Sequence, residues 1–75
     1  MKFDIEQAEE GLSLMPTKLR ESLQRACVGV HNVLLAENFG LEKADVLAAK
    51  FGLLVGQSFY DDYHSAKELI EKGQE

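Results

Sequence analysis

Two pairs of side chains in this sequence have the types and spacings from which a metal centre or a nucleophile and base could be built. Cys27 and His31 stand four apart, and Asp61 and His64 stand three apart. Each pair would share one face of a helix, and thiolate, imidazole and carboxylate are ordinary ligands of zinc and related ions. Whether the pairs can meet depends on the elements that carry them. In an antiparallel helical hairpin turning near Gly40 to Lys43, residues at one height have numbers that sum to roughly 83, which sets Cys27 and His31 level with about 56 and 52. Asp61 and His64 then lie level with about 22 and 19, one to two turns away. No metal site and no cofactor is expected.

Catalysis is not expected either. Cys27 and His31 on one helix lack an oxyanion donor or a third orienting group of recognisable spacing. Gly52 and Gly56 sit in an apolar segment without the Lys-Ser/Thr of a phosphate-cradling loop. The segment ADVLAAKFGLLVGQSFYDDY has the cadence of a helix-turn-helix, but its would-be recognition helix carries Asp61 and Asp62 and no cation before Lys67. Such a face repels phosphate.

Composition narrows the classes further. The chain has 75 residues, one cysteine and a formal net charge of −5. A domain of this size has a marginal core unless a disulfide, a metal or a partner supports it. One cysteine excludes an internal disulfide. The negative charge argues against a nucleic-acid footprint, since the only basic density, Lys18, Arg20 and Arg25, is interrupted by Glu21. The first ten residues, MKFDIEQAEE, turn acidic where a signal peptide would be apolar, and no apolar run approaches a membrane span. A cytoplasmic location and no membrane contact are expected.

The elements follow from period and punctuation. Asp4 caps a short helix over about 4–14, with Gln7 as the partner of a capping-box variant and Ile5, Ala8, Leu12 and Met15 at helical spacing. Pro16 opens a second helix over 16–39 as its first residue, and Gly40 ends it in the left-handed conformation. Leu19, Leu23, Ala26, Val30 and Val33 form one apolar seam of that helix, with Glu37 at its end, and Val28, Leu35 and Phe39 form a second stripe. Two stripes need two partners.

The third helix is expected over 41–72. Its wet face is Lys50, Gln57, Asp61, His64, Glu68 and Glu71, and its apolar face is Ala48, Gly52, Val55, Phe59, Tyr63, Ala66 and Ile70. A continuous helix from Asp45 to Lys72 would be about 42 Å long, more than one small domain requires, while a break near Gly52 to Gly56 would give two shorter ones. Each interior glycine costs roughly 1 kcal/mol against alanine, so the two call for a reason. The small-residue spacing of Ala48, Gly52 and Gly56 suits a tight helix crossing within the chain or between subunits.

The fold class expected is all-α: a helical hairpin or three-helix unit in a single domain, completing a bundle as a homodimer. Ala48, Gly52, Gly56 and Phe59 are the candidates for self-association. The patch Tyr60, Asp61, Asp62, Tyr63 and His64, aromatic beside acidic, is the candidate surface for another protein. The function expected is therefore a small acidic interaction module, a regulator or inhibitor that occludes a partner. The alternative is a dimeric nucleic-acid-associated regulator that doubles the Lys18, Arg20 and Arg25 patch.

Overall fold

A computed structural model describes residues 3–73. Three helices follow one another, α1 over Ile5–Leu14, α2 over Thr17–Ala36 and α3 over Leu41–Gly73, and no strand occurs among the described residues. The architecture is an all-α three-helix unit. α3 is the spine: both α1 and α2 pack against it, and they barely touch each other.

Local chemistry sets the boundaries. Asp4 is extended (φ −134°, ψ 118°), and its carboxylate accepts from the backbone N–H groups of Glu6 and Gln7 at 2.9 and 3.1 Å. These are two of the donors a helix start leaves unpaired. At the other end of α1, Met15 is extended as the residue before a proline must be. Pro16, with ψ 150°, stands just outside α2 rather than as its first helical residue, and α2 begins at Thr17. The Arg20 guanidinium reaches back to the carbonyls of Ser13 and Met15 at 3.1 and 3.3 Å, giving the end of α1 the donors it lacks.

α2 ends three residues before the expected Phe39. Asn38, not Gly40, takes the left-handed conformation, with φ 68°. The Asn38 N–H donates to Leu35 O at 3.1 Å and the Phe39 N–H to Leu34 O at 3.0 Å, which is the hydrogen-bond pair of a Schellman motif. Asparagine tolerates that conformation because its short amide side chain bonds locally. Gly40 is left to lead into α3, its carbonyl accepting from the Ala44 N–H at 2.9 Å.

α3 runs unbroken through Gly52 and Gly56 for 33 residues. At 1.5 Å per residue that is about 50 Å, and it accounts for the longest molecular dimension, 55 Å. Antiparallel to it, α2 lies with Cys27 beside Gly52 and His31 bonded to Asp45, at 2.6 Å between Nε2 and Oδ1. This register is one to two turns from the one expected, because the connection is longer on the α2 side once that helix stops at Ala36. From about residue 62 onward α3 extends past the start of α2.

The core is thin. Ala8, Met15, Ala44 and Ala48 are the buried apolar residues, and Gln57 is the largest side chain with no exposure at all. No residue of α2 is fully buried. Leu23, Cys27, Val30, His31 and Leu34 are half-buried towards α3. That line is rotated from the expected seam, so Leu19, Ala26 and Val33 stay exposed.

Candidate functional site

The two α3 glycines serve two different neighbours. Gly56 is where α1 crosses: a Cβ added there would overlap the Ala8 carbonyl oxygen and stand 2.8 Å from Leu12 Cγ. The opposing residue is Gly11, whose added Cβ would overlap the Gly56 carbonyl oxygen and lie 3.1 Å from Tyr60 Cβ. Neither obstacle is the movable end of a side chain. The helices meet backbone to backbone, and only glycine permits it at both positions. Gly52, one turn away, faces the Sγ of Cys27 at 3.3 Å from its would-be Cβ, a contact a small shift relieves.

Beside this crossing, Gln57 closes the start of α1. Its Oε1 accepts from the Asp4 N–H at 2.8 Å, and its Nε2 donates to Gln7 Oε1 at 2.9 Å and to Asp61 Oδ1 at 3.2 Å. Gln57 was expected on the wet face; it is buried because the N-terminus of α1 supplies partners for both ends of its amide. It also takes the place expected for Gln7 in the capping box, since it is Gln57 that accepts from the Asp4 N–H. Polarity alone gives no sign of this: the signal would have been an amide one residue from a glycine that admits another backbone.

The five residues of the aromatic and acidic patch divide. Tyr60 and His64 are half-buried with ring centroids 4.3 Å apart, and Tyr60 sits against Gly11. The Nε2 of His64 is enclosed without a hydrogen-bond partner among the described residues. Asp61 is exposed yet engaged by Gln57. Asp62 and Tyr63 face outward, with the Tyr63 ring edge-on to His64 at 5.4 Å. An outward pair on α3 thus stands beside an inward pair, of which Tyr60 meets α1 at Gly11.

Of the self-association candidates, Ala48 and Gly56 are buried within the chain, while Gly52 and Phe59 are half-buried. Cys27, His31, Asp61 and His64 are not brought together. Cys27 meets Gly52, His31 meets Asp45, Asp61 meets Gln57 and His64 lies between tyrosines.

An open groove of about 830 Å³ runs between α1 and α2 with Gly52 at α3. Leu12, Leu23, Cys27, Val28 and Gly52 contribute its apolar lining, and Arg20, Glu21, Gln24 and Arg25 line it with polar heads. A smaller one of about 400 Å³ lies on the other side of α2, between Met15, Leu19 and Leu23 and the α3 residues Val55, Phe59 and Asp62. Sequence reasoning missed both, because the rotation of α2 that leaves them is a tertiary outcome. No helix among the described residues is long and apolar enough to cross a membrane.

Comparison of the chain with protein-family models, with curated proteins and with solved structures finds no match in any of the three.

Proposed function

We propose that the protein is a helical interaction module that assembles as a homodimer and regulates a partner protein by covering part of its surface. The observation that supports this most strongly is the state of α2: twenty residues long, with apolar residues on several faces, and not one of them buried. A helix forms in water mainly because packing of its apolar face sustains it. Half-burial on α3 is poor support for a helix of this length.

In this reading the outward residues Asp62 and Tyr63, with Asp61, meet the regulated partner, and Tyr60 and His64 set the backbone beneath them. An aromatic anchor beside carboxylates suits a partner surface that offers cations around an apolar hollow. No catalytic role belongs to this reading. A cytoplasmic location accompanies it, since the one cysteine, Cys27, is a free thiol and thiols persist in reducing compartments.

A photo-cross-linker replacing Tyr63 tests the partner surface in the native host. One protein should be captured from that position and not when the linker replaces Lys50. Capture of the same set from both positions would overturn the assignment.

The second reading, a dimeric nucleic-acid-associated regulator, would use Lys18, Arg20 and Arg25. It has less support because the Arg20 guanidinium is committed to the carbonyls at the end of α1. Steeply salt-dependent binding to mixed RNA or DNA would favour it.

A further inference from the structure

The chain carries a groove without a ridge and a ridge without a groove. The groove lies between α1 and α2, about 830 Å³ in volume and floored at Gly52. The ridge is the end of α3, which extends past α2 and bears Leu69 and Ile70 at 70% and 63% exposure. Ile70 continues the apolar stripe that α2 covers at Ala48, Gly52, Val55 and Phe59; on the overhang that stripe loses its cover.

We infer that the occupant of the groove is the α3 overhang of a second copy of this chain, with the exchange made reciprocally about a two-fold axis. The inference rests on the dimer reading above and names its contact. Symmetry is what makes it economical: one rotation provides a ridge for each groove at once. Area agrees. The chain exposes 5746 Å², whereas a compact monomer of this mass exposes about 4600 Å². The surplus, roughly 1100 Å², is close to what each subunit of an obligate dimer buries.

Charge agrees as well. Among the residues that line the groove, Arg20 and Arg25 stand against Glu21, a net of +1; on the overhang Asp62, Glu68 and Glu71 stand against Lys67 and Lys72, a net of −1. The groove wall and the overhang attract each other, whereas two acidic overhangs side by side would not.

Cys27 lines the groove and is the only thiol in the chain, so it can report the contact. In an Ile70→Cys variant a short bis-maleimide should join Cys27 of one chain to the introduced thiol of the other, yielding a covalent dimer linked twice. Within one chain the two positions are too far apart, since residue 70 lies about 27 Å along α3 from the Gly52 that faces Cys27. Mixing isotopically labelled and unlabelled chains confirms that the link is intermolecular. A stable dimer in which Cys27 is never joined to the introduced thiol would overturn this inference and leave the dimer standing; a monomer at all concentrations would overturn both.

A second variant needs no cross-linking. Leu69→Asp with Ile70→Asp alters only the overhang, outside the contacts of α1 and α2, so helix content should be retained while the dimer dissociation constant rises by about 100-fold or more. An unchanged dissociation constant would contradict the proposed contact.

Discussion

The two helices that lie on α3 are held in opposite ways. α1 is only ten residues long, yet it meets α3 backbone to backbone at Gly11 and Gly56, with Gln57 filling its N-terminus. α2 is twice as long and leaves every one of its residues at least partly in water. Length therefore does not set how firmly a helix docks. Close approach and full hydrogen bonding do, and they make the α1 contact specific to one geometry while the α2 contact remains open to a further neighbour. The short interface is finished. The long one is left open.

The sharpest way to break this contrast is at the crossing. Gly56→Ala places a methyl group into the Ala8 carbonyl, and the backbone on both sides is helical and cannot yield locally. A loss of about 3 kcal/mol is expected by urea denaturation, overpacking outweighing the gain in helix propensity. Amide exchange should become fast throughout Ile5–Leu14.

Gln57→Leu removes one donor group and one acceptor from a buried site and strands the Asp4 N–H and the side-chain Oε1 of Gln7. A loss of about 2 kcal/mol is expected. Gln57→Glu sharpens the point through pH: a buried carboxylate beside Asp61 favours its protonated form. Its folded-state pKa is therefore raised, so the deficit of this variant should be large at pH 7 and shrink as pH falls through the carboxylate range. Denaturation midpoints at pH 7 and pH 4 measure it, and an equal deficit at both would count against the buried clamp.

Asn38→Ala forces a residue that tolerates the left-handed conformation less well into it at the end of α2, with an expected loss of about 1 kcal/mol. Asn38→Gly should lose nothing. The smallest effect belongs to Gly52→Ala. Its methyl meets only the Cys27 Sγ, so propensity and crowding nearly cancel and stability should stay within about 0.5 kcal/mol of the parent. Two glycines four residues apart would then differ by several-fold in consequence, which is the comparison restated as a measurement.

Much of the fold is legible in the residues. Asp4 as a cap, Pro16 as a boundary and the periodicity of the three segments yield the three helices, with only the end of α2 misplaced, by three residues, because capping and period are local properties. What is not legible depends on which elements meet. The small-residue line on α3 shows that something approaches closely there, but Gly11, the residue that does, reads in isolation as punctuation. Gln57 reads as solvent-facing because polarity is local and its partners at Asp4 and Gln7 are fifty or more residues away. α2, apolar around much of its circumference, offers no unique stripe, so a rotation that sets Cys27 against Gly52 does not follow from its own sequence. The candidate partner patch reads as a unit in the sequence and is two layers in the fold, for the same reason: Tyr60 lies against the Gly11 crossing.

In the proposed dimer, a second copy covers helical surface that one copy leaves open. The described molecule has a radius of gyration of 15.1 Å, against about 11 Å for a compact domain of this length. Thermal unfolding followed by circular dichroism over a hundred-fold range of protein concentration tests the claim most directly, because a folded state that requires two chains gains stability with concentration by mass action. The account predicts a Tm that climbs steadily with concentration, together with a dimeric mass by sedimentation equilibrium. A Tm unchanged across that range, from a particle of monomer mass, would contradict it.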